Sequence, residues 1–282
     1  MGKLIRSPVV YLSAPVAGIL AFFLGPLVVL GHTSVTDASA GGSGDFTLSN
    51  YKEILTGPVF RAVMENTLLV STIAMSVLLV AGFIVAYVVA FRVGKWEVPV
   101  LVLIILSDQL NPLIRVYAWR LILGRNGFVN YVLQSIGIIE EPLDVLLFSK
   151  LAVVIVLSVG WLPLAIIPMY AAFKTVDSGV LEAATDLGSR FGTTLRTILL
   201  PLIAPGIVAA IALIYLPLMS DFATPALVGG VDGYMAANYV ADQMLGLGNW
   251  GVGAAAGFVL LLLSGLVVGG SYRLSRIGDS AV

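Results

Sequence analysis

Residues 62–91 form one long apolar run that stops only at Arg92 and Lys95. It is longer than the roughly 20 residues that a helix needs to cross a bilayer. Inside hydrocarbon no water is available to backbone N–H and C=O groups, and a helix satisfies all of them within one segment. The rest of the chain follows the same pattern. Hydrophobic residues make up 59% of the 282 positions and charged residues 11%, with a mean hydropathy of +1.03. A soluble domain carries about a quarter charged residues, and a soluble fold of this composition would expose apolar area at a cost proportional to that area. Lipid is the solvent that suits it.

Six apolar segments read as spans: 9–31, 62–91, 97–113, 151–173, 201–220 and 252–272. The first follows Lys3 and Arg6, and Ala38-Ser39-Ala40 resembles a signal-peptidase site. Its apolar stretch is nevertheless longer than the about 7–15 residues of a cleavable signal, so it is expected to remain as a span. Residues 32–50 have the Gly, Ser, Thr and Asp content of a loop, and residues 46–60 read as a short amphipathic surface helix. The third span is interrupted at Ser107-Asp108-Gln109-Leu110-Asn111-Pro112, and residues 126–148 read as a partly exposed excursion. The expected fold is therefore an all-α membrane protein of about six helices in a single domain over 1–282. With six spans, nine lysines and arginines at 3–6, 92–95, 174–196 and 273–276 fall on one side against six at 52, 61, 115–125 and 150 on the other, a bias that favours cytoplasmic termini by the positive-inside rule.

Several chemistries are excluded. Net charge is −1 and no basic stripe is present, so nucleic acid is not a partner. The chain has no cysteine and a single histidine, His32, which removes disulfides, thiol nucleophiles, multi-histidine metal sites and histidine-based triads. No G-x-x-x-x-G-K-[ST] phosphate loop occurs; Gly94-Lys95-Trp96 lacks both the spacing and the hydroxyl. No cofactor is expected on this chain, and any ATP chemistry must reside elsewhere.

One polar stretch, 178–200 between the fourth and fifth spans, differs from every other loop. Asp177 or Ser178 can cap a helix start. Glu182-Ala183-Ala184-Thr185-Asp186-Leu187 favours helix, and Gly188 can end or bend it. Ala183, Ala184 and Gly188 leave a low surface that a partner can approach, with Leu187 and Phe191 as apolar anchors. Glu-Ala-Ala, three residues, Gly188, nine residues, Ile198, one residue, Leu200-Pro201 resembles the EAA motif of ABC-importer permeases at every fixed position. Ser189 stands where alanine is common. The resemblance implies a type I importer permease fold. It makes this segment the coupling helix, with Glu182, Ala183, Ala184, Leu187, Gly188 and Phe191 meeting a cytoplasmic ATPase.

Further stretches extend the resemblance: Phe46–Tyr51, Leu113–Trp119 with Leu123–Gly127, Ser220–Pro225 with Gly229-Gly230, and Asn249-Trp250-Gly251. Together they are similar to the spermidine/putrescine-type branch, specifically its first permease subunit. The branch also carries other cationic or amine solutes and ferric iron. Besides the lipid bilayer, the resemblance implies several partners. They are a second homologous permease, two copies of an ATPase subunit binding ATP and Mg, and an extracytoplasmic substrate-binding protein.

Acidic groups inside spans are costly and commonly face a cavity. Asp108, beside Gln109 and Asn111, and Asp221 near the end of the fifth span are the candidates for a cationic solute. Each is equally a partner for Arg115 or Arg120, or a solvated residue at a span's end. Tyr117 and Trp161 are aromatic candidates for the path through cation–π contact, against interfacial belting. The competing class is an ion-coupled secondary transporter using these acids, which leaves 178–200 unexplained; a permease of the same family for an amino-acid derivative or ferric iron is the nearer alternative.

Overall fold

The computed structural model of the chain describes residues 8–36 and 44–279. Its described residues contain helices and no strand, apart from an isolated bridge between Thr36 and Phe46. Contacts divide the chain into two compact units, 1–61 with 239–259 and 62–238 with 260–282.

The first unit is built from α1 (Pro8–Ser34), α2 (Ser49–Thr56) and the ends of two longer helices. Hydroxyls close α1: Ser34 donates to the Gly31 carbonyl and Thr36 to the His32 carbonyl, taking up acceptors that a helix end leaves without partners. Asn50, buried at the start of α2, donates to the carbonyls of Ser34 and Thr36 at 3.0 Å each. Gly251 lies directly against the Asn50 amide, so the end of α1 and residue 251 meet at the same side chain.

The second unit carries most of α3 (Pro58–Phe91), then α4 (Glu97–Asp108), α5 (Pro112–Leu123), α6 (Phe128–Ser135), α7 (Lys150–Gly160), α8 (Leu162–Lys174), α9 (Ser178–Asp186) and α10 (Phe191–Thr194). A π-helical turn, Leu195–Leu199, fuses α10 to α11 (Leu200–Ser220), giving one helix of 30 residues over Phe191–Ser220. The short α12 (Ala236–Ala241) and the long α13 (Trp250–Asp279) complete the chain.

Among the described residues four helices are long and apolar enough to cross a membrane: Pro15–Ser34, Pro58–Phe91, Phe191–Ser220 and Trp250–Arg273. Two bent pairs bring the number to six if each crosses once. They are Gly94–Asp108 with Pro112–Ser135, bent by 92°, and α7 with α8, bent by 45°. Both bends have a proline just beyond them. Pro112 disfavours helical backbone at Asn111, which takes ψ 124° and caps α5 by accepting from the Leu113 N–H. Pro163 has no N–H for the Val159 carbonyl one turn earlier, so α7 stops at Gly160.

Packing in the second unit rests on small residues. A Cβ on Gly82 would stand 2.9 Å from the Ala165 Cβ, and one on Gly206 would stand 2.4 Å from the Ala172 Cβ and 2.8 Å from the Pro168 carbonyl oxygen. α8 therefore lies backbone-close to α3 on one side and to α11 on another. Lipid provides no hydrophobic drive between apolar helices, so close van der Waals approach through small residues holds them. Gly206→Val should force α8 and α11 apart at a cost of about 1–3 kcal/mol. Thermal unfolding in detergent checks this: the apparent Tm of the variant should fall, and an unchanged Tm would show that the two helices are not locked at this point.

Candidate functional site

The segment between α8 and α11 is a capped, outward-standing helix. The Asp177 carboxylate accepts from the Gly179 N–H at 2.9 Å and starts α9. At the other end Gly188 has φ +76°, the left-handed backbone that glycine adopts without strain. Its N–H donates to the Thr185 carbonyl and the Ser189 N–H to the Ala184 carbonyl, the paired bonds of a Schellman stop. Ala184 alone of the coupling candidates turns inward, at 6% exposure. Glu182, Ala183 and Gly188 are exposed, with Leu187 at 88% and Phe191 at 63%. Two large apolar side chains thus stand outside the bundle on a segment too polar to lie in lipid.

The base of this segment is tied down by residues far apart in sequence. The Phe173 ring, fully buried, meets Phe83, Tyr87 and Phe91 with centroids 5.2–5.8 Å apart, and Tyr87 also meets Phe191 at 6.1 Å. Beside this cluster, Lys174 Nζ lies 3.0 Å from Glu97 Oε1, and the Tyr170 hydroxyl donates to the same carboxylate oxygen. The end of α8 is so joined to α3 by rings and to the start of α4 by charge. Sequence reasoning found Phe191 but not Glu97, Tyr170, Phe173 or Lys174. Their only local signal was an acid and a base at the ends of apolar runs.

The five candidates for a solute path do not form one cluster. Asp108 ends α4, and its Oδ1 lies 3.7 Å from Arg115 Nη1 across the 92° bend. Asn111 sits in the same bend, where its side-chain oxygen caps α5. Tyr117 lines a cleft of about 350 Å³ with Arg120, Leu121, Leu147 and Phe148. Trp161 occupies the bend between α7 and α8 and packs on the core around Leu157 and Val116. Asp221 is engaged within its own turn, where its two carboxylate oxygens accept from the Thr224 N–H and hydroxyl, both at 2.9 Å. It caps the turn that follows α11. The spacing Asp221-x-x-Thr224 before Pro225 is the signal that would have identified this cap.

The arginines of α5 and the following turn are each engaged. Arg115 faces Asp108, Arg120 stands 5.3 Å over the Phe148 ring, and Arg125 lies 3.5 Å from Asp144. Positive charge in this region is thereby spent on internal contacts.

Long apolar helices, with two bent pairs at polar or proline-bearing breaks and a capped polar helix standing out between two spans, define a multi-pass membrane protein. A profile of the binding-protein-dependent transport system inner membrane components matches residues 47–276. The chain belongs to that family, the permease subunits of ABC importers. It is 33% identical over 265 residues to the spermidine/putrescine transport system permease protein PotB of Escherichia coli, covering 94% of this chain and 96% of the relative. The PotB of Haemophilus influenzae is 32% identical over 252 residues, covering 89% and 87%. Among solved structures, a bacterial ABC transporter that imports the acidic polysaccharide alginate superposes with a TM-score of 0.73 at 17% identity, covering 97% of both chains.

The ring cluster is expected to hold segment 178–200 in place. Phe173→Ala should cost about 3–5 kcal/mol and raise amide hydrogen exchange across residues 178–200 above that of α13. Unchanged exchange in that segment would mean that its order is independent of Phe173.

Proposed function

We propose that this chain forms one half of the translocation path of an ATP-driven importer for a polyamine or a related small organic cation. The observation that carries the reading is 33% identity with a spermidine/putrescine permease over nearly the whole chain. A second, homologous permease supplies the other half of the path. Two copies of a cytoplasmic ATPase subunit bind ATP and Mg, for which this chain has no phosphate loop. An extracytoplasmic binding protein delivers the solute. Both termini are cytoplasmic, which puts segment 178–200 on the ATPase side.

In this reading Glu182, Ala183, Ala184, Leu187, Gly188 and Phe191 form the coupling contact. The Schellman stop at Gly188 lets the chain turn sharply while Leu187 and Phe191 project, and the small Ala183 leaves room for a close partner surface. Movement imposed there by the ATPase reaches the spans through α8, whose end is bound to α3 and α4. Asp108 meets the cation within the bilayer: α4 has 12 residues from Glu97, a rise of about 18 Å against a hydrocarbon core of about 30 Å. Asn111, Tyr117 and Trp161 stand along the same bends, and Asp221 shapes the turn after α11.

Two measurements test this. In proteoliposomes holding the four kinds of subunit, labelled spermidine or putrescine should accumulate only with ATP. A cognate binding protein that captures only an anion would contradict the substrate class. Gly188→Val places a β-branched residue at φ +76°, where it is strained by about 1–3 kcal/mol, and Glu182→Lys reverses an exposed charge. Both should abolish uptake and reduce co-purification of the ATPase while the permease stays in the membrane. Full uptake in both variants would remove the coupling role.

A further inference from the structure

We propose that Arg115 is a built-in competitor for the cation site: its guanidinium sits at the Asp108 carboxylate until an incoming cation displaces it toward the carbonyl end of α7. The inference rests on the cation-importer reading and adds a residue that sets affinity and release.

Three observations carry it. The pair is held by charge without a fixed hydrogen bond, since 3.7 Å lies beyond normal hydrogen-bond reach. Such a contact is exchangeable, yet both side chains are largely withdrawn from solvent, at 16% exposure for Arg115 and 28% for Asp108. An opposite charge is worth more in this setting than in water.

Second, Arg115 already touches another resting place. Its Cζ, Nε and Nη2 each lie 3.7 Å from the point where a Cβ on Gly160 would stand. Gly160 is the last residue of α7, and a Cβ there would meet the guanidinium at ordinary van der Waals distance, so the arginine lies directly against the end of this helix. Because Pro163 offers no N–H to the Val159 carbonyl, the C-terminal end of α7 keeps an acceptor free of its usual helical donor. That end also bears the negative pole of the helix dipole, which favours a cation. One guanidinium therefore faces a carboxylate and lies against the last residue of α7, whose carbonyl end is the second resting place that the exchange assigns to it.

Third, the pair spans the 92° bend, with Asp108 closing α4 and Arg115 in the first turn of α5, while Gly160 closes the helix before the 45° bend. Arg115 thus links the two breaks in the second unit. When an ammonium group takes Asp108, the tie across the first bend is released and the tie to the second remains. Binding of the solute is coupled in this way to the geometry of both broken helices. A permanently free Asp108 would hold a cation tightly and release it slowly; the tethered guanidinium re-forms the pair as the solute leaves.

The test uses the assembled importer in proteoliposomes, with spermidine as the probe. Arg115→Gln removes the competitor, so the apparent KM for spermidine should fall by about two- to fivefold, the range of a part-exposed ion pair, and kcat should fall with it as release slows. The double variant Asp108→Asn/Arg115→Gln leaves no unpaired charge, so it should assemble like the wild type and show a KM raised about tenfold or more. An Arg115→Gln importer with unchanged or raised KM overturns the exchange, as does a double variant with the wild-type KM. If Arg115→Gln does not assemble, the double variant is compared with Asp108→Asn alone: a guanidinium with no carboxylate to occupy should leave the two with the same KM, and a KM that differs between them overturns the exchange. If the wild-type importer takes up no spermidine while another solute is transported, the cation reading itself fails and the exchange fails with it.

Discussion

The contact between Gly206 on α11 and the Ala172 and Pro168 backbone of α8 sets where the intervening segment stands. A glycine there brings two helices closer than any side chain would permit, and the segment 178–200 is the loop that joins them. Its position in space is therefore inherited from helix packing and not from its own sequence. Gly82 against Ala165 repeats the device between α3 and α8. With α8 gripped on both sides, a force applied to the exposed Leu187 and Phe191 has a stiff element to act on. The rings around Phe173 and the Glu97–Lys174 pair complete that grip at the end of α8.

The second constraint is the one that lipid places on backbone. A helix may break at membrane depth only where the freed polar groups find protein partners. The break after Asp108 follows this rule: Asn111 supplies the cap for α5, and the Arg115 N–H donates to the Asn111 carbonyl. The π turn at Leu195–Leu199 is a milder case, placed just ahead of Pro201. At the break after Asp108 the charged side chains find such partners, with Arg115 facing Asp108 across the bend.

Much of the fold was legible because lipid makes composition decisive. Long apolar runs, prolines at the bends and the Glu-Ala-Ala segment are local features, and each maps on a local structural event. Gly188 was readable for the same reason, since a helix stop needs a left-handed residue. Gly206 was not, because a glycine in an apolar run looks alike whether it faces lipid or a neighbouring backbone. Glu97 and Lys174 were equally silent: they stand far apart in the chain, and only the tertiary fold joins them. Asp221 shows a local role that its place near a span's end does not announce: its two oxygens accept from the Thr224 N–H and hydroxyl.

The central claim is that Leu187, exposed on a segment fixed by α8 and α11, is the point at which this permease meets its ATPase. The chain has no cysteine, so a Leu187→Cys variant carries one thiol and no background. Photo-crosslinking from that thiol in the assembled importer, followed by identification of the joined peptide, reads the contact directly. The account predicts a crosslink to the ATPase subunit in a yield that changes when ATP binds. Crosslinks to lipid or to the binding protein alone, with none to the ATPase, would contradict it.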